Sequence, residues 1–461
     1  MLRLFRVHLP ANTVALFAAD TILVLFCFVF ALYFTTNVAP RVYLLDDGGI
    51  WRVLLVESVI LLGLYFHDLY QEFRVRSRIL LVQNVSLTLG VAFVLQSLLS
   101  YGRWNLLLPK WDMVFGSAGV LILLPTWRMA FSSSISHTVG DQRVLFLGAS
   151  QSALDIMHRL AARPELGWKA LGYLDDQAGE EFPGVPCLGP IDNLVPVVAE
   201  HHPDRLIVAI SDSRDGVPLE RLLDLRATGL LIEEAAQTYE YVLHRVSTRD
   251  LRLSDLIFSA GFGPRPHRMI LQSLYSWIVA AVLVAVTLPI MAVVAILVKL
   301  TSPGPVLYRQ TRTGLNGAAF VLYKFRSMDR DAEAETGAVW SQKDDPRVTP
   351  LGRWLRRLRL DELPQLFNVL RGEMSMVGPR PERPEFVHVL QAQIPYYAQR
   401  HAVKPGITGW AQINHKYGDS IDDTIVKLEY DLYYIKHGAA SLDLYILFHT
   451  FKTMLLGRGA Q

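Results

Sequence analysis

The chain has 461 residues, 51% of them hydrophobic and 19% charged, with a formal net charge of +2 and two cysteines. That length exceeds one ordinary domain, the apolar share exceeds a soluble average, and the near-neutral balance excludes a nucleic-acid binder built on clustered Lys and Arg. Cys27 and Cys187 form neither a disulfide framework nor a metal-ligand spacing, so both are read as buried structural thiols in a reducing compartment.

In chain order, four apolar stretches come first, at 13–35, 50–69, 79–99 and 112–131. Each is close to the ~20 residues a helix needs to cross ~30 Å of hydrocarbon. The first is too long, and too poor in small cleavage-site residues, for a removable signal peptide. Arg3 and Arg6 precede it, and Arg74, Arg76 and Arg78 separate the second stretch from the third, which directs both ends of this bundle (1–135) to the cytoplasm. Asp20, Glu57 and Asn84 lie within the spans and are expected to face the interior. They would serve either an ion or substrate path or interhelical hydrogen bonds, and the absence of transporter-like repeated halves favours the bonds.

Residues 141–262 read as an α/β domain. "DQRVLFLGAS" is a buried strand ending in a glycine turn, "QSALDIMHRLAAR" a helix, "LGYLDD" a second strand and "DRLIVAIS" a third, and this alternation predicts a parallel, Rossmann-like sheet. Gly148-Ala149-Ser150 lacks the second glycine of a dinucleotide site. Asp175 and Asp176 remain candidates for a ribose contact, but a regulatory or scaffolding role is favoured.

A fifth apolar stretch covers 274–300, with Pro289 in its middle. Proline removes a backbone donor and kinks or breaks a helix. A segment that bends back there (about 272–300) keeps the carboxy-terminal domain in the cytoplasm, whereas a straight span would place it outside.

Beyond 300 come "SPGPVLYRQTRTG" (302–314), "FVLYKFRSM" (320–328), "GRWLRRLRLDELPQLFNVLRGEMSMVGPRPERPEF" (352–386) and "KPGITGWAQIN" (404–414). These ordered blocks resemble the catalytic domain (268–461) of the bacterial sugar transferases, the monotopic polyprenyl-phosphate glycosyl-1-phosphate transferases. The plan of four spans, a Rossmann-like domain and this domain resembles the larger members, which start exopolysaccharide and O-antigen assembly. The implied fold class is a membrane α-helical bundle, an α/β Rossmann-like domain, and an α/β phosphoglycosyl transferase domain with a re-entrant membrane helix.

The resemblance implies transfer of a hexose 1-phosphate from a UDP-sugar to undecaprenyl (polyprenyl) phosphate, with release of UMP and through a phosphosugar on Asp361. A carboxylate suits that role because it is ionised at neutral pH without a base to activate it. Pro364 is tolerated in a first helical turn, so "DELPQLFNVL" is expected to start a helix with Asp361 near its N-cap. Adjacent carboxylates repel, and Mg²⁺ held by Asp361, Glu362 and the diphosphate would relieve that repulsion. Arg356, Arg380 and Arg383 are expected on substrate phosphate. Lys324 and Arg326 serve either phosphate or fold, and Arg353, Arg357 and Arg359 suit anionic lipid. Trp410 is either a uracil platform or a loop anchor, while Tyr430, Asp431 and Tyr434 are structural. "SLDLYILFHTFKTMLLG" is expected at the membrane surface.

The family usually begins the re-entrant helix with a basic pair and, three residues on, an aspartate; here Gln272, Ser273 and Ser276 occupy those places, with His267 and Arg268 as substitutes for the charge. The expected setting is the bacterial inner membrane with the catalytic domain on its cytoplasmic face, membrane lipids as neighbours, a homodimer and no nucleic acid. A non-catalytic scaffold or nucleotide-sensing partner of an export complex is the rival class. A nucleotide-sugar dehydratase or epimerase is disfavoured by the poor glycine motif.

Overall fold

The computed structural model describes residues 2–4, 7–9, 11–36, 38–67, 69–70, 78–99, 106–138, 142–163, 166–176, 184–210, 218–259, 261–262, 265–329, 332, 345–415 and 420–455. Four apolar helices follow the expected spans within a few residues: α1 (Ala11–Thr35), α2 (Gly49–Phe66), α3 (Arg78–Leu99) and α4 (Lys110–Thr138). Each packs on two others, α1 on α2 and α4, and α3 on α2 and α4. Phe28, Ile60, Val85 and Leu124 fill the centre, while Ile22, Phe30, Trp51 and Ile122 point outward, the apolar exterior that a bilayer would cover. Arg6, Arg74 and Arg76, on which the predicted orientation rests, lie outside the described residues.

The polar residues of the bundle turn inward. Asp20 has no exposed surface and accepts from Arg128 Nε at 3.2 Å, a bond between the first and fourth helices. Arg128 also donates to Leu69 O at 2.7 Å. Glu57 is buried and Asn84 half-buried. Interhelical bonding thus accounts for Asp20.

The middle domain alternates β1 (Gln142–Leu147), α5 (Gln151–Ala162), β2 (Trp168–Leu174), α6 (Leu194–His201), β3 (Arg205–Val208), α7 (Leu219–Ala227), β4 (Leu231–Glu234) and α8 (Ala235–Leu243). The strands are parallel in the order β2-β1-β3-β4. Side chains alternate across a strand, and on β1 Val144 and Phe146 enter one core while Leu145 and Leu147 enter the other. That is why the strand reads as an unbroken apolar run. Gly148 follows at φ +93°, and a Cβ there would stand 2.8 Å from Ala209 O. Cys187 is exposed in this domain, which corrects its reading as a buried thiol, whereas Cys27 is buried in the bundle.

The transferase-like domain starts with α9 (Pro266–Thr301), 36 residues long. Together with the four bundle helices it makes five among the described residues that are long and apolar enough to cross a membrane. Helical geometry continues through Pro289, so the proline does not end the helix. Both halves of α9 pack on the same domain: Ala280 joins the core around Val377 and Leu428, and Met291, Val294 and Val298 join Phe325 and Leu355. The opposite side exposes Trp277, Val282, Val286, Val293 and Leu300.

The unusual start of α9 is anchored through the uncharged side chains of Gln272, Ser273 and Ser276. Gln272 Nε2 donates to Tyr434 Oη at 2.7 Å, to Asp443 Oδ2 at 3.0 Å and to Val377 O at 3.1 Å. Ser273 Oγ accepts from Lys404 Nζ at 3.1 Å, and Ser276 Oγ from Met376 N at 3.2 Å. Arg268 adds its guanidinium 5.2 Å from the centre of the Tyr434 ring.

Then follow an antiparallel hairpin of β5 (Leu307–Thr313) and β6 (Ala319–Phe325), α10 (Pro350–Arg357), a 3₁₀ turn (Leu360–Glu362), α11 (Gln365–Leu370), β7 (Ser375–Val377), α12 (Pro384–Gln393), β8 (Gly406–Thr408), α13 (Ile421–His437) and α14 (Ala440–Leu455). β7 and β8 are parallel. Helix α13 joins the domains: Glu429 accepts from Tyr239 Oη at 2.9 Å and from Thr248 N at 3.1 Å. Trp410, stacked 5.7 Å from Tyr433 and donating to His244 O at 3.0 Å, is the loop anchor rather than a base platform. Helix α14 meets the bundle, where buried Lys452 donates to Tyr65 O at 2.6 Å. Leu444, Phe451 and Met454 stay exposed on that helix.

Candidate active site

Helix α10 sets the approach to the acidic pair. Thr349 caps it, its Oγ1 accepting from Gly352 N at 2.9 Å, with Pro350 in the first turn where its missing N–H is harmless. Gly352 lets the helix lie on the segment after β6, for a Cβ there would fall 1.9 Å from Ser327 O. One turn on, Arg356 lands on the same side and donates from Nε to Ser327 Oγ at 3.0 Å. Arg359 ends the run at φ +54°, and the left-handed step turns the chain into the 3₁₀ turn.

Asp361 occupies that turn rather than a helix N-cap. The capping position of α11 belongs to Pro364, which has no side-chain cap bond. The expected N-cap role for Asp361 is therefore corrected: Asp361 lies inside a 3₁₀ turn whose own capping position is Arg359, and Leu363 and Pro364, helical in backbone, lead from that turn into α11 at Gln365. Asp361 is 7% exposed, and no hydrogen bond from the described residues reaches its carboxylate. Burial, then the negative charge of Glu362, raise its pKa above the ordinary range, against the pull of Lys324, Arg356 and Arg380.

Glu362 has the opposite surroundings. Its Oε1 accepts from Arg380 Nη2 at 2.8 Å and Lys324 Nζ at 3.0 Å, and its Oε2 lies 3.8 Å from Arg359. Burial alone would raise its pKa, but the charges of Arg380 and Lys324 and the Arg380 hydrogen bond hold it well below the usual range. Lys324 reaches the site because Asn368 on α11 pins the helix to β6, accepting from Tyr323 N at 3.1 Å and donating to Val321 O at 2.7 Å. Lys324, Arg356, Arg359 and Arg380 around two carboxylates leave the site net positive, suited to a bound diphosphate.

The other expected phosphate contacts separate. Arg326 is buried and donates to Ser302 O at 2.8 Å, Ser302 Oγ at 2.7 Å and Pro303 O at 2.7 Å, so it holds the end of α9. Arg383 faces Glu385 at 3.6 Å and the Phe386 ring at 5.7 Å, at the start of α12. Arg400 was not anticipated. Buried, it donates to Tyr397 Oη at 2.6 Å and to Arg380 O at 3.0 Å, and pairs with Asp431 at 2.9 Å. It fixes the turn that presents Arg380, and no spacing in the sequence relates residues 380 and 400.

Asp361 and the Oε2 side of Glu362 are the oxygen donors available to a cation. The described residues hold no cluster of three or more His, Cys, Asp or Glu. Two carboxylates suit Mg²⁺, which keeps several waters and takes further oxygens from substrate phosphate.

Residues 267–457 match the family described as bacterial sugar transferase, and residues 65–222 the family described as CoA-binding domain. The UDP-N-acetylgalactosamine-undecaprenyl-phosphate N-acetylgalactosaminephosphotransferase of Aeromonas hydrophila is 49% identical over 185 residues, 40% of this chain and 44% of the relative. The UDP-glucose:undecaprenyl-phosphate glucose-1-phosphate transferase of Xanthomonas campestris pv. campestris is 35% identical, over 66% of this chain and 65% of the relative. A protein of the same name from Klebsiella pneumoniae is 33% identical, over 67% of each. The chain thus spans less than two thirds of the length of the first two of these relatives.

Proposed function

We propose, from the premise that this chain belongs to the bacterial sugar transferase family, that it moves a sugar 1-phosphate from a UDP-sugar to undecaprenyl phosphate. The observation that carries this reading is Asp361, a buried carboxylate without a hydrogen bond from the described residues, among four cations.

An Asp361 oxygen attacks the phosphorus that bears the sugar, and the bond from that phosphorus to the oxygen shared with the UMP phosphate breaks. UMP leaves with the electron pair. An oxygen of the lipid phosphate then attacks the same phosphorus and releases Asp361 as carboxylate. Arg356 and Arg380 hold phosphoryl oxygens, where charge dominates the barrier. Glu362, kept anionic, holds Lys324 and Arg380 in place. Mg²⁺, held by Asp361 and Glu362, would neutralise charge on the diphosphate.

Helix α9 is read as a re-entrant helix. What supports this is that both of its halves pack on one domain while the other side is apolar. The catalytic domain then faces the cytoplasm, at the inner membrane. The middle domain is read as a Rossmann-like scaffold: its order β2-β1-β3-β4 has helices on both faces. Asp175 accepts from Ala149 N at 2.7 Å, within the turn that a dinucleotide phosphate would need. A homodimer completes the reading, and sedimentation in detergent tests it.

The test is to incubate the purified protein with Mg²⁺, undecaprenyl phosphate and a panel of UDP-sugars and to measure UMP. Release with one sugar, and a phosphosugar adduct on Asp361 in protein quenched without lipid, are expected. No UMP with any sugar rejects the proposal.

A further inference from the structure

The turn that carries Asp361 runs through Leu363 and Pro364, both helical in backbone, into α11. Residues 361 and 365 therefore stand one helical turn apart, a spacing at which side chains are neighbours.

Helix α11 buries two amide side chains, and their fates differ. Asn368 uses both ends: Oδ1 accepts from Tyr323 N, and Nδ2 donates to Val321 O and, at 2.7 Å, to Glu373 Oε2. Gln365 is 3% exposed, yet its Nε2 meets no acceptor among the described residues. A buried amide donor left unpaired keeps the cost of its lost hydration, and methionine would fill the same space without that cost. Packing thus gives no reason for a glutamine here, one turn from the nucleophile.

We infer that Gln365 donates from Nε2 to a non-bridging oxygen of the phosphoryl group while it is joined to Asp361, making it a further catalytic residue. The inference rests on the transferase reading above. The bonds made and broken are those already given; Gln365 gains and loses no proton, and contributes a fixed donor where negative charge builds.

The test uses the full-length protein with Gln365→Met and Gln365→Leu. Single-turnover UMP release should fall about 100-fold in both, with UDP affinity changed by less than about threefold. Melting temperature should hold or rise, because an unpaired buried polar group is removed. UMP release at the parental rate in both variants overturns the inference and leaves the transferase reading intact. A loss of activity matched by falls in melting temperature and UDP affinity also overturns it, by reducing Gln365 to a packing residue. A parental protein that releases no UMP defeats the transferase reading itself, and this inference with it.

Discussion

The middle domain and the transferase domain both place aspartates at the ends of elements, and they use them differently. In the middle domain Asp175 accepts from Ala149 N at 2.7 Å, Asp176 from Ile191 N at 2.8 Å and Asp204 from Arg143 N at 2.7 Å. Each carboxylate ties down a backbone donor at a turn or strand end, and each is exposed or half-buried. In the transferase domain Asp361 is buried without such a bond from the described residues, while its neighbour Glu362 gathers the cations. An acid that is satisfied by backbone holds the fold, whereas one whose charge is costly and only partly offset is ready to bond to something else.

Substitutions can break or sharpen this contrast. The largest effect is expected from Asp361→Asn, which should cut UMP release roughly a thousandfold or more and abolish the phosphosugar adduct. Next, Arg400→Ala should leave Asp431 buried and unpaired, costing about 3 kcal/mol of stability in chemical denaturation, with Arg400→Lys recovering part of it.

Arg380→Gln should lower UMP release about 100-fold and also move its pH dependence. Asp361 must be ionised to attack, so the rate rises with pH through its raised pKa. Arg380 is among the charges pulling that pKa down, so its loss should shift the acidic limb upward. A downward shift would contradict the assignment of that limb to Asp361. The smallest effect belongs to Asp175→Asn, which should cost about 1 kcal/mol of stability and leave UMP release unaltered. If it instead abolished UMP release, the contrast between the two domains would fall.

Much of this was readable along the chain. Apolar runs of spanning length became α1 to α4, and the strands at "VLFLG", "LGYLDD" and "RLIVA" became β1, β2 and β3, because run length and apolar continuity are local properties. The short β4 (Leu231–Glu234) carried no such signal. The Asp361–Glu362 pair stood out by its place among ordered blocks. Lys324 and Arg326 were open between phosphate and fold. In the structure Lys324 meets Glu362, whereas Arg326 lies just past the strand end and turns under α9.

Local residue order therefore determined element type, the apolar runs and the acidic pair itself, since periodicity, proline and capping chemistry act over a few residues. Only the tertiary structure decided which charges meet. Arg400 reaches the carbonyl of Arg380 and the carboxylate of Asp431 because α13 packs there, and Lys324 reaches Glu362 because Asn368 ties α11 to β6. Electrostatic environment depends on burial and distance through space, and neither is set by separation along the chain.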